Sequence, residues 1–187
     1  MDQRLRGNEN VGIGFWAGRA DTASVNSVYV GSQAGYNNNR SSTVAIGYQA
    51  LYNNSVGATV AQALNNVAIG TSALSANTLG SSNTAVGNSA LIGNISGSQN
   101  TSMGYLSNVS ASNLVNATAI GANAFVAQSN TMVLGSINGV NSATADTKVG
   151  IGTTTPDSTF SVADKFLVGS SGTVQYDNTV PVMNYMF

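Results

Sequence analysis

Thr43-Val-Ala-Ile-Gly-Tyr-Gln-Ala-Leu51 decides how the chain is read, because the same phrase returns along almost its whole length. Asn66-Val-Ala-Ile-Gly-Thr-Ser-Ala-Leu74 and Asn83-Thr-Ala-Val-Gly-Asn-Ser-Ala-Leu91 are plain copies. With the central glycine as marker, looser copies place it at Gly14, Gly31, Gly47, Gly70, Gly87, Gly104, Gly121, Gly135, Gly152 and Gly169, separated by 17, 16, 23, 17, 17, 17, 14, 17 and 17 residues. A fixed period broken by single insertions or deletions is the sequence signature of a stacked repeat.

The columns of the repeat carry its physics. The residue before the glycine is apolar in every copy, and the residue two earlier is mostly β-branched, so the two share one face of a short period-two strand. Hydrophobicity predicts that this face, with Val44, Ile46, Val67, Ile69, Val86 and Ile120, is the buried core. Between them stand Ala45, Ala68, Ala85 and Ala119, with Ser102 in a fifth copy. Small residues let another backbone approach, and this column is the predicted contact between subunits. Past the glycine, Ala50-Leu51, Ala73-Leu74 and Ala90-Leu91 suggest a corner and a second, weaker strand. At ~3.3 Å per residue, a coil of this length closes on itself and climbs about 4.8 Å, giving a rod of roughly 50 Å for about ten coils. Six residues past Ile46 and Ile69 stand Tyr52 and Ser75, so a three-sided hexapeptide helix does not fit. The expected fold is all-β, a parallel β-roll or β-solenoid of about ten coils with a period near 17.

The phrase Val-Ala-Ile-Gly-x-x-Ala-Leu at 44–51 and 67–74 resembles the head repeat of trimeric autotransporter adhesins. Over about residues 10–135 that resemblance implies a left-handed parallel β-roll assembled as a homotrimer. Further on, Lys148-Val-Gly-Ile-Gly-Thr-Thr-Thr-Pro-Asp-Ser-Thr-Phe-Ser-Val162 resembles a segment common in phage tail-fibre shafts and in large bacterial surface proteins, which also implies a trimeric fibre.

Charge is distributed unusually. Only 7% of the residues are charged, and residues 41–145 contain no Asp, Glu, Lys or Arg. Such a composition signals disorder unless apolar columns supply a core, as they do here. The 24 asparagines fall mostly between the apolar phrases, where they are expected at corners and as the source of solubility. A net charge of −1 with six basic residues argues against nucleic acid as a partner. There is no cysteine and no apolar run of membrane-spanning length, so disulfide scaffolding and membrane insertion are not expected. No apolar h-region follows Met1-Asp-Gln-Arg-Leu-Arg-Gly7, which points to release by lysis or particle assembly, or to an internal fragment. Residues 1–9 read as an N-terminal cap, 10–140 as the repeat head and 141–187 as a fibre shaft or neck, because charge and proline return beyond Asn141. The 23-residue spacing carries six extra residues within 53–65, which an array must place outward.

Material for catalysis is scarce. With no His or Cys, and with the acidic residues taken to lie outside the repeat body, neither an acid–base pair nor a metal cluster is expected, and no cofactor. Six of the aromatics fall within the first 52 residues. Trp16, Tyr36, Tyr48 and Tyr52, two of them followed by asparagines, are the candidate binding residues, since rings beside amides suit sugars; corner or groove filling is the competing explanation. Asn-x-Ser/Thr sequons at Asn94 and Asn100 are among six that this composition produces by chance. The expected function is a non-enzymatic, homotrimeric fibre segment attaching a phage-like particle to a cell surface, with itself, other fibre or particle proteins and a host-surface glycan or protein as partners. Its expected location is a virion or other extracellular particle. The alternative is the head of a bacterial surface adhesin. An ice-binding solenoid would need a flat threonine ladder, and only Thr84, Thr101 and Thr118 stack in register.

Overall fold

A glycine that closes onto the glycine of the next coil sets the architecture. In the computed structural model, which describes residues 9–59, 61–156 and the backbone of 160–162, Gly47 has φ 130°. A Cβ built on it would lie 2.6 Å from the carbonyl group of Gly70. Only glycine accepts both that backbone angle and that approach. Each corner ends a three-residue strand, and the strands stack. β1 (Val11–Ile13), β2 (Val28–Val30), β3 (Val44–Ile46), β4 (Val67–Ile69), β5 (Thr84–Val86), β6 (Thr101–Met103), β8 (Thr118–Ile120) and β10 (Met132–Leu134) form one eight-stranded sheet. All neighbours are parallel and in register, so Val44 faces Val67 across the long spacing and Thr118 faces Met132 across the short one. On the far side of the coil, β7 (Asn108–Val109) pairs with β9 (Phe125–Val126).

Among the described residues, eight strands make about seven turns. The phrase around Gly152 does not extend the sheet: β11 (Val149–Ile151) pairs with β12 (Phe160–Val162) in a separate two-stranded sheet. That pair belongs to a second compact unit starting at Lys148. The copy at Gly169 and residues 1–8 of the expected cap lie outside the described residues. The first unit runs to Thr147 rather than ending near residue 140. Asn141 Nδ2 donates to the Leu106 carbonyl at 2.6 Å, and Thr147 N donates to the Ser136 carbonyl at 3.0 Å, so the segment after β10 folds back onto the coils.

The two faces of the strands are the reverse of the expectation. Ala45, Ala68, Ala85 and Ala119 are enclosed within their own chain, together with Ala50, Ala73, Ala90 and Leu51, Leu74, Leu91. Ile46 is 36% and Ile69 38% exposed, Ile120 is exposed, and Val44, Val67 and Val86 are half-buried on the same outer side. The reason is volume. The coil is thin: Ser102, in the alanine column of β6, reaches across it to donate to the Ser107 carbonyl at 2.7 Å, and interiors pack to a fixed density. Alanine fills that space; a column of isoleucine would overfill it. The approaching backbone is therefore the coil's own, and the alanines have no surface left for a subunit contact. Leu51, Leu74 and Leu91 hold φ of 51°, 51° and 52°. A left-handed conformation costs roughly 1–2 kcal/mol, against about 1.5–3 kcal/mol gained by burying a leucine side chain, so burial wins.

One coil solves the same packing differently. Tyr29 occupies the alanine column in β2 and is wholly buried, while Gly35 takes the place of leucine, and a Cβ there would clash with the Tyr29 ring at 2.3 Å from its edge. Gly35 keeps the leucines' conformation, φ 58°. One large ring replaces an alanine–leucine pair.

The remainder of the interior is amide. Asn38, Asn54, Asn66, Asn77, Asn83, Asn94 and Asn100 are fully buried, against the expectation of exposed corners. The Asn66 Oδ1 accepts the Asn83 backbone N–H at 2.9 Å, and the Asn83 Oδ1 accepts that of Asn100 at 3.0 Å. Their amide nitrogens donate to the carbonyls of Gly80, Gly97 and Leu114. A second ladder joins Asn38, Asn54, Asn77 and Asn94. Paired this completely, a buried amide avoids its desolvation penalty. Burial also removes Asn94 and Asn100 as glycosylation acceptors.

Candidate functional site

Two surface features stand out. The first is the outer face of the large sheet. Along it run the columns headed by Val11 and Ile13 and ending at Met132 and Leu134, and Ile13, Met103 and Leu134 are exposed like Ile46 and Ile69. The outward position one residue past the glycine adds Phe15, Tyr48 and Tyr105, all exposed. Thr84, Thr101 and Thr118 lie on this outer face rather than in the interior, in one column.

The second is an aromatic stack on the turn after the corner. Tyr36 and Tyr52 stand at the same position of successive coils, so the sheet register places their rings face to face, with centroids 4.9 Å apart at 14°. Arg19 stands at that position one coil earlier. Its guanidinium lies 5.2 Å from the Tyr36 ring centre and 5.3 Å from that of Trp16, and it donates to the Tyr36 hydroxyl. Trp16 meets Tyr36 edge-on at 5.8 Å and stacks on Phe15 at 4.3 Å. Cation–π and offset-stacked contacts of this kind are mutually favourable. Of the four candidate aromatics, the structure thus brings together Trp16, Tyr36 and Tyr52. Tyr48 is 50% exposed on the outer sheet side and has no ring contact with them. Sequence reasoning missed Arg19, although its spacing from Gly14 matches that of Tyr36 from Gly31.

Beside the stack, the insertion leaves and rejoins the coil without disturbing it. Asn54 Nδ2 donates to the Ala63 carbonyl at 3.0 Å, as Asn77 Nδ2 does to Gly80 at 2.9 Å. The insertion therefore stands between Ser55 and Ala63, where the next coil has Leu79 alone. The Arg40 guanidinium holds this loop by donating to the Ala58 carbonyl at 2.7 Å.

Asp21 is the acid that the sequence reading placed outside the coils. It is buried in the first described coil, at the position of the Asn38–Asn94 ladder. Its Oδ1 accepts the Ser24 backbone N–H at 2.9 Å, and its Oδ2 accepts the hydroxyls of Ser24 and Tyr29. Surrounded by donors, the carboxylate ends the ladder and has no open side for a substrate. Burial pushes the Tyr29 phenol pKa up, outweighing its hydrogen bonds with Ser24, Ser27 and Asn38, and the Asp21 charge adds to the rise. Among the described residues, no group of three or more His, Cys, Asp or Glu could hold a metal ion.

Comparison with protein families, with curated proteins and with solved structures finds no match in any of the three.

Proposed function

We propose that the chain is a non-enzymatic segment of a homotrimeric attachment fibre, in which each subunit lays the outer face of its large sheet against the other two. The observation that carries this is the outward column from Ile13 through Ile46, Ile69 and Ile120 to Leu134, apolar on all eight strands, or about 34 Å at 4.8 Å per rung. Continuous exposed apolar surface of this kind marks an interaction site, and a rod repeating the same face on every rung matches a copy of itself in register. Three subunits, rather than two, is what the resemblance of residues 44–51 to adhesin heads implies. The subunit contact then falls on Val44, Ile46, Val67 and Ile69, not on the alanine column. A phage-like particle is the carrier we favour, with the bacterial surface adhesin as the second reading, supported by the same residues. No described helix is long and apolar enough to cross a membrane.

Solution mass decides the assembly. Light scattering at micromolar concentration should give three chains, and Ile69→Asp should release folded single chains with an unchanged β-type circular dichroism spectrum. A wild-type monomer would overturn the fibre assignment.

A further inference from the structure

The stack of Arg19, Tyr36 and Tyr52 stops abruptly. At the same position of the following coil stands Ser75, and one coil further Ile92, which is exposed; the Asn53 N–H bond to the Ser75 carbonyl, 3.2 Å, fixes the Tyr52 coil against the Ser75 coil. Tyr36 has both faces covered, by the Arg19 guanidinium and by Tyr52. Tyr52 has Tyr36 on one face and, on the other, a serine too short to reach the height of the ring. Two rungs separate Tyr52 from Ile92, about 9.6 Å, so the ledge over Ser75 has room for one ring-thick ligand.

Polar groups beside that ledge are unspent. Asn37 Nδ2 donates to the Asn53 Oδ1 at 3.3 Å, which leaves Asn53 Nδ2 for the next coil. There Ala76 offers it no side-chain acceptor. Neither Asn53 Nδ2 nor the Ser75 hydroxyl has a partner among the described residues. An open aromatic face with a free amide donor and a free hydroxyl at its edge is the combination that recognises a sugar, whose ring presents C–H groups on its face and hydroxyls at its rim. No charged residue lies between 41 and 145, and Arg19 is engaged between two rings, so the ledge carries no charge for an acidic ligand.

We propose that the ledge formed by Tyr52, Asn53, Ser75 and Ile92 is a binding site for a neutral pyranose, stacked on the open face of Tyr52 as the next member of the ladder. The site lies within one chain and stands without the trimer.

Saturation-transfer NMR on the whole protein, with the methyl glycosides of glucose, galactose and mannose as probes, tests it. At least one probe should receive saturation on its ring protons, equally at 20 mM and 500 mM NaCl. Ser75→Tyr completes the aromatic ladder and fills the ledge, so it should weaken that probe about tenfold or more while leaving the circular dichroism spectrum unchanged. Ala76→Asn, which gives Asn53 Nδ2 an acceptor, should weaken it as well. The proposal is overturned if none of the three probes receives saturation from the wild type, if Ser75→Tyr binds like the wild type, or if 500 mM salt abolishes binding.

Discussion

Exchanging the contents of one coil's interior tests the packing most directly. Tyr29 and Gly35 together fill the space that Ala45 with Leu51, and Ala68 with Leu74, fill in later coils. Tyr29→Ala alone should cost roughly 3–5 kcal/mol, the range for emptying an aromatic site. Gly35→Leu alone drives a side chain into the Tyr29 ring and should cost about 1–3 kcal/mol or more. Were the sites independent, the double variant would lose some 4–8 kcal/mol, the sum of the two. The structure requires instead that it recreate the alanine–leucine pair at a backbone angle leucine already accepts, 58° against 51° at Leu51. Its deficit should fall to about 1–3 kcal/mol, the cost of leaving Asp21 without the Tyr29 hydroxyl. Equilibrium urea unfolding of the four proteins at one fixed concentration gives the coupling. An additive double variant would refute the assignment of the strand's inner face.

Placing a charge on either side of the same strand should separate fold from assembly: Ala68→Asp buries it inside the coil, costing several kcal/mol and abolishing the β-type spectrum, whereas Ile69→Asp should keep that spectrum. Identical loss in both would mean that the outer column also holds the single coil together. Tyr29 has a folded pKa above its unfolded value near 10, so its contribution is fully present below about pH 10 and is lost as the pH climbs through the folded value. Thermal melts at pH 8 and pH 11 should show an alkaline decline that Tyr29→Phe reduces; an equal decline in the variant would place its origin elsewhere. Replacing residues 56–62 by a single leucine should restore a regular coil and leave the melting temperature within a few degrees or raise it, since shortening a loop lowers its closure entropy. A collapse in stability would show that the loop is structural.

Much of this architecture was legible in the residues. The strands fall where Val-Ala-Ile-Gly and its variants recur, the register follows the glycines, and the 16-, 23- and 14-residue spacings are absorbed outside the strands. Period two separates the faces of a strand but does not say which is inside. Hydrophobicity chose Ile46 and Ile69, whereas the thinness of the coil chose Ala45 and Ala68, and thinness is a property of the closed coil that no single phrase displays. The same blindness put the asparagines outside: Asn66, Asn83 and Asn100 recur at one spacing, but their burial depends on carbonyls a coil away. The aromatic stack was half visible. Tyr36 and Tyr52 share a column that the repeat already aligned, and Arg19 heads it, but Tyr48 was grouped with them by proximity in sequence alone.

The coil that packs Tyr29 against Gly35 has a meaning for how the chain finds its fold. Near-identical neighbours such as residues 66–74 and 83–91 carry little information about their own place, so β4 could pair with β6 and leave a whole coil looped out, at only a modest cost in loop entropy. Chains of interchangeable parts are prone to such slips. A tyrosine that fits only beside a glycine, and a carboxylate that ends an amide ladder, belong in one place and nowhere else. The irregular coil is the address from which the regular ones are counted.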